Sequence, residues 1–218
     1  MKNKTLLSVS LLSLLSLPAL AQNGRFYLRG DLGGNLTSDT ELREFFGPVT
    51  PDSKVKFDPG VRFGAAFGYE ITEWFSAEGQ TGIMANSIHS ITDSTRHDAV
   101  FSNVPFLANV RFQLPRSRFT PYIGGGVGVS TAVLDSDEIE VNGVFMHGSD
   151  ADAVFAYQGF AGLHYRINSQ MGLSLEYRYF WADPAEWRAD ITFGTQTDKI
   201  RFGGTETHSL SIAFDYHF

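Results

Sequence analysis

The chain has 218 residues, 17 Lys and Arg against 24 Asp and Glu, and no cysteine. The missing cysteines exclude a disulfide scaffold and any thiol-based metal or nucleophilic site. The net charge of −7 offers no basic face for nucleic acid.

Residues 1–21 read as a cleaved signal peptide. Lys2 and Lys4 form a basic start, residues 6–17 are apolar apart from small polar residues, and Pro18-Ala19-Leu20-Ala21 places small residues where signal peptidase needs them. The apolar stretch falls short of the roughly 20 residues of a spanning helix, so cleavage before Gln22 and export are expected. Residues 22–218 show no linker or break in composition and are expected to form one domain.

Beyond the leader, apolar side chains recur with a period of two, as on a strand whose faces differ. Residues 26–36 alternate weakly. Residues 61–71 alternate cleanly, with Val61, Phe63, Ala65, Phe67, Tyr69 and Ile71 opposing Arg62, Gly64, Ala66, Gly68 and Glu70. Residues 75–85 are again weak, whereas in 104–114 Val104, Phe106, Ala108, Val110, Phe112 and Leu114 oppose Pro105, Leu107, Asn109, Arg111 and Gln113. Residues 122–131 and 153–167 are weaker members. Residues 173–179 and 208–218 separate cleanly, the latter with Leu210, Ile212, Phe214, Tyr216 and Phe218 opposite Ser209, Ser211, Ala213, Asp215 and His217.

A tilted strand crosses a bilayer in about 9–11 residues, and eight segments have roughly that length. Connections 72–73, 115–118 and 168–170 are short, while 37–58, 86–97, 132–152 and 182–205 are long and polar. The pattern predicts an all-β fold: an eight-stranded antiparallel up-and-down transmembrane β-barrel with short periplasmic turns and four long extracellular loops. The wall must close, because an open edge would leave backbone groups unpaired in hydrocarbon. A soluble barrel of lipocalin type would turn its apolar face inward around a ligand. Here the apolar face of the four clearest segments carries no Lys, Arg, Asp or Glu, and the polar face is mostly small residues, as suits a narrow lumen. Tyr69, Trp74, Phe75, Phe112, Phe119, Tyr165, Tyr216 and Phe218 gather toward the short turns, where an interfacial girdle belongs.

The segments FDPGVRFGAAFGYEI, WFSAEGQTG, VPFLANVRF, PYIGGGVGVS, AYQGFAGLHYRI, LSLEYRYF and HSLSIAFDYHF resemble the small outer-membrane β-barrel proteins of Gram-negative bacteria, the opacity-protein-like group. The resemblance covers almost the whole chain after the leader. It implies a place in the cell outer membrane among outer-membrane lipid and lipopolysaccharide. It also implies recognition by the barrel-assembly machinery through a terminal signal, here Phe214, Tyr216 and Phe218. It fixes activity only loosely, since the group includes adhesins, complement-evasion proteins and small pores.

In this register Arg29 and Asp31 face inward while Phe26, Leu28 and Leu32 face lipid. Arg29-Gly30-Asp31 spells a tripeptide that adhesion receptors read on exposed loops, but here it belongs to the wall. Inward positions hold Arg29, Arg62, Arg111, Arg166 and Arg178 against Asp31, Glu70, Glu78, Glu176 and Asp215. An unpaired buried charge is costly, so an interior ion-pair network is expected, centred on Glu78, Arg111 and Glu176. Gly64, Gly68, Gly82, Gly124, Gly126, Gly128 and Gly162 face the same way and leave room for the arginines. Eight-stranded barrels are just wide enough to be filled by side chains. A plugged scaffold is therefore expected, with a thin ion path through exchanging pairs as the alternative.

Enzymatic candidates are weaker. His147-Gly148-Ser149 has the His-x-Ser form of lipid A deacylase barrels, but no carboxylate at a matching spacing orients the histidine. His208 and Ser209 are adjacent on a strand and face opposite sides. Asp135 to Glu140, with Asp150 and Asp152, reads as a solvated acidic loop rather than a cation site, and His89 and His97 lack metal-ligand spacing. In the last loop, 189–196 and 198–204 alternate around Thr197-Asp198 as a hairpin. Trp187, Phe193, Ile200 and Phe202 there either form an exposed partner surface or pack against the first and third loops. The expectation is a monomeric, non-enzymatic barrel without cofactor or metal. Its expected role is structural and surface-interacting, supporting envelope integrity with adhesion or immune evasion through a host or cell-surface ligand at the loops. A narrow porin-like pore is the alternative, and a lipid A-modifying enzyme the third reading.

Overall fold

Each strand that hydrogen bonds to a neighbour runs antiparallel to it. The computed structural model describes residues 26–218 apart from 115–116, 142–143 and 189–198; the expected leader, 1–21, lies outside the described residues. The described residues form β1 (Phe26–Thr37), β2 (Thr40–Phe45), β3 (Lys54–Phe57), β4 (Gly60–Thr72), β5 (Phe75–Ile91), β6 (Ser94–Gln113), β7 (Phe119–Val141), β8 (Val144–Arg166), β9 (Met171–Ala182), β10 (Glu186–Arg188), β11 (Lys199–Phe202) and β12 (Thr205–His217).

Pairing runs β1–β4–β5–β6–β7–β8–β9–β12, and β12 returns to β1 from Tyr27 opposite His217 to Thr37 opposite Thr207. The ring buries its polar face: Arg29, Asp31, Arg62, Glu78, Arg111, Glu176, Arg178 and Asp215 lie inside. Leu32, Val61, Phe63, Ile123 and Ile212 on the outer face are each at least 60 % exposed. An apolar belt of that extent would drive association in water and is stable against hydrocarbon. The fold is therefore an antiparallel β-barrel of the transmembrane type. One interruption has a local cause. The β5–β6 ladder is broken between the pairs Thr81–Phe106 and Met84–Asn103, where Pro105 has no N–H to donate.

Two of the four expected loops are strands. β5 continues to Ile91 and turns through Thr92 and Asp93 directly into β6, with Asp93 at φ 60°, a conformation Asp tolerates. β7 and β8 are 23 residues each, about a dozen more than a bilayer requires. Residues 86–97, and the described residues of 132–152, thus extend the wall as paired strands rather than loops. The alternation continues there with its polarity reversed: Phe101, Leu134 and Val154 point inward and are buried, while Asp135, Ser149 and Ala151 face out. Once the outer face meets water instead of lipid, an apolar interior is what stabilises the wall.

The other two expected loops fold onto this extension. β10 pairs with β11, β11 with β2, β2 with β3, and β3 with the upper end of β5. Trp187, Ile200 and Phe202 join Leu42, Phe45, Val55, Phe101, Leu134, Ile139 and Phe180 in one apolar core. Each such side chain contributes about 1.5–3 kcal/mol on burial. The long-loop end thus carries a folded cap. Of the expected hairpin around Thr197-Asp198, 189–198, including Phe193, lie outside the described residues; among the described ones Lys199 pairs with Arg188 and Arg201 with Glu186, a register not centred on Thr197-Asp198.

Candidate functional site

The barrel interior is built in layers. At its centre Glu78 accepts the Tyr27 hydroxyl at 2.6 Å and pairs with Arg111 at 2.6 Å. Glu176 lies 3.0 Å from Arg29, accepts the Tyr122 hydroxyl at 2.9 Å, and is bonded by Arg178 from its own strand. Arg29 also donates to Tyr122 and stands 3.7 Å from Asp215. Arg62 bonds Asp31 at 2.7 Å. Arg111 sits over the Tyr122 and Tyr27 rings, and Arg178 over Phe160; such contacts add most where water is excluded.

An amide layer lies above. Asn109, Gln158 and Arg178 all donate to the Gln80 side-chain oxygen at 2.6–2.8 Å. Nearer the cap, Asn86 bridges Asn35, Thr37 and the Asp58 carbonyl. Buried polar groups cost least when partnered, and these layers tie inward side chains of β1, β5, β6, β7, β8 and β9 to one another across the lumen.

Nine of the ten expected interior charges are buried inside. Glu70 faces His217 at 3.4 Å near the short-turn mouth. Arg166 differs: it is half-buried at that mouth and forms no ion pair with a described residue. Sequence reading missed Tyr27, Tyr122, Phe160, Gln80 and Gln158. Their inward parity is the signal in the sequence that places them in the lumen. The inward glycines correspondingly make room for rings as much as for arginines. A Cβ on Gly68 would lie 2.2 Å from Tyr27 Cζ, and one on Gly162 would lie 2.5 Å from Tyr122 Cζ.

Outside the lumen, Asp150 and Asp152 have a structural task. They accept the backbone N–H groups of Arg188 at 2.7 Å and Glu186 at 2.9 Å and so hold β10 against β8. This corrects the solvated acidic loop, as does Ile139, which is fully buried within that run. Trp187, Ile200 and Phe202 are buried, with Trp187 Nε1 donating to the Ala132 carbonyl at 2.9 Å. Packing, not an exposed partner surface, therefore describes them. His89 pairs with Asp58 at 2.9 Å, and among the described residues no three His, Asp or Glu are arranged for a metal. Ser149 is exposed on β8 opposite Asp135; the His147 side chain lies outside the described residues. His208 bonds Tyr177 and Glu206 on the outer face while Ser209 is buried inside.

Two aromatic clusters mark the wall. Around the short turns Phe26 stacks on Phe67 and lies tilted against Tyr69, Phe112 stacks on Trp74 and lies tilted against Phe75, Phe119 is tilted against Tyr165, and Tyr216 meets Phe218 edge-on. Toward the cap Tyr157, Tyr179, Trp181 and His208 form a second cluster over β8, β9 and β12. Amphipathic rings favour the level of lipid head groups.

A ring of antiparallel strands with a charged interior and an apolar outer belt defines an integral membrane barrel. The family model of the outer membrane protein beta-barrel domain matches residues 7–218, and the chain belongs to that family. It is 27 % identical to an uncharacterized protein of Brucella abortus (strain 2308), over 74 % of this chain and 68 % of the relative. The outer membrane protein OprG from Pseudomonas aeruginosa superposes with a TM-score of 0.60 at 16 % identity, over 89 % of this chain and 97 % of that one. Neisserial surface protein A gives 0.56 at 13 %, over 88 % and 97 %. At these identities the structures show a shared fold. Family and neighbours together support an outer-membrane location.

Proposed function

We propose that the eight ring strands cross the outer membrane of a monomer, with the short turns periplasmic and the cap extracellular. In this reading the protein is a structural and surface-interaction component, and the exposed face of the cap meets host or neighbouring cells. The supporting observation is that the lumen is filled twice, by the ion-pair layers around Glu78 and Glu176 and by the apolar cap above them. What such a molecule offers the outside is a rigidly displayed surface rather than a passage. Outer-membrane lipid and lipopolysaccharide surround the belt, and the terminal aromatics Phe214, Tyr216 and Phe218 serve recognition by the assembly machinery. The test is a deletion strain complemented either with the chain or with a form whose 38–58 and 183–204 segments are replaced by short turns. Both forms should restore resistance to detergent, and only the first should restore adherence to cultured cells. Equal adherence would remove the surface-interaction role.

A narrow pore is the second reading. Arg29 Nε, Arg62 Nη1 and Arg178 Nε are buried without a protein acceptor, which favours a wetted lumen. The chain is read as non-enzymatic: its deletion should leave the lipid A mass spectrum unchanged, and a lost modification would contradict this.

A further inference from the structure

The short-turn mouth holds a cavity of about 170 Å³, remote from the cap. Its described wall carries Arg111 from β6, His164 and Arg166 from β8 and His217 from β12, against Glu70 from β4 as the one lining carboxylate. The acids within reach are already engaged. Glu70 lies 3.4 Å from His217, Asp215 3.3 Å from His164, and Glu78 2.6 Å from Arg111. Arg166 has no carboxylate among the described residues, and Arg111 Nε is buried with no acceptor. Two permanent guanidinium charges thus border a space that would hold several waters, each with a liquid share of about 30 Å³, and one of them, Arg166, forms no ion pair with a described residue. Gln113 stands in the same wall; its Nε2 donates to the Glu73 carbonyl at 3.1 Å and keeps a second N–H, whereas the Thr120 hydroxyl is committed to the Ser117 carbonyl at 3.2 Å.

We infer that this cavity binds a small oxyanion, a phosphate group or a carboxylate, with Arg166 as the principal ligand and Arg111 as the inner one. Guanidinium groups present paired donors that match the oxygens of either anion, and charge-assisted bonds of this kind are roughly twice as strong as neutral ones. The site depends on neither the cap nor its exposure.

The test heats the refolded chain in zwitterionic micelles with sodium phosphate, sodium acetate or sodium chloride at equal ionic strength, because surface charges respond to any salt. A ligand that binds only the folded state raises the unfolding temperature with its concentration. Phosphate or acetate is expected to raise it saturably where chloride does not, and Arg166→Gln should increase the half-saturating concentration at least tenfold. A rise with phosphate alone identifies the phosphate group; a rise with acetate as well admits carboxylates. No rise beyond chloride, or an unchanged rise in Arg166→Gln, overturns the site. Should that variant fail to fold, Arg166→Lys keeps the charge but not the paired donors. Weaker half-saturation then supports the site, and an unaltered one overturns it.

Discussion

Removing the Glu78 carboxylate deprives Arg111 of its 2.6 Å partner and Tyr27 of the nearer of its two acceptors, deep in the lumen, leaving it Ser76 Oγ at 3.2 Å. Deleting one member of a buried pair costs about 3–5 kcal/mol, because the other charge stays buried. Glu78→Ala should therefore lower the temperature at which the detergent-folded form converts to the unfolded one on a semi-native gel; an unchanged temperature would take Glu78 out of the pairing. Glycines separate space from conformation at the same scale. Gly68→Ala forces a Cβ to 2.2 Å from Tyr27 Cζ, whereas a Cβ on Gly79 meets nothing within 4 Å. The first substitution should lower the conversion temperature markedly and the second should hardly move it. The side of the wall each residue occupies was legible in the sequence, because side-chain parity is a local property. Which charge meets which was not. Arg29 and Tyr122 are 93 residues apart, and Arg178 and Gln80 98, so only the closed register joins them.

At the scale of elements, the cap tests whether loop segments here are folded. Trp187 joins β10 to Phe101, Phe202 and the Ala132 carbonyl, and truncating a buried Trp costs about 3–5 kcal/mol. Trp187→Ala should make 183–204 sensitive to protease while the ring keeps its heat-modifiable mobility, since elements can open separately; simultaneous loss of both would mean that cap and ring unfold as one. Glu186 adds a pH dependence. Its bond to Lys199 at 2.9 Å, helped by Arg188, holds its carboxyl below the ordinary carboxylate range. A depressed folded value makes the contribution fully present above the ordinary carboxylate pKa of about 4.3. It is then lost as pH falls through the lower folded value. Acidification in that window should speed cleavage of the cap, and Glu186→Gln should remove that part of the pH response; an identical response would dismiss the pair. Packing of the last loop against the first and third was one of the two sequence readings, but the strands of the cap escaped it for a physical reason. Outside the bilayer the strands reverse their polarity, and a search for apolar-out alternation stops where Phe101, Leu134 and Phe180 begin to point inward. The tight turn at Thr92-Asp93 was hidden in the same way, inside a segment whose polar outer face reads as loop.

On the scale of the whole molecule, the apolar outer belt, the ionic lumen and the apolar cap are three solutions to three surroundings stacked along one axis. The belt was the most legible, since four segments carry it without a charge. The proposed role requires a closed lumen: ion pairs and rings occupy its middle, and the cap core its outer end. Single-channel recording tests that most directly, with the refolded chain reconstituted in a planar bilayer. A closed lumen predicts no discrete current steps across many insertions. Reproducible steps that vanish or change size with Arg111→Ala would contradict it and make the lumen, rather than the displayed surface, the working part of the protein.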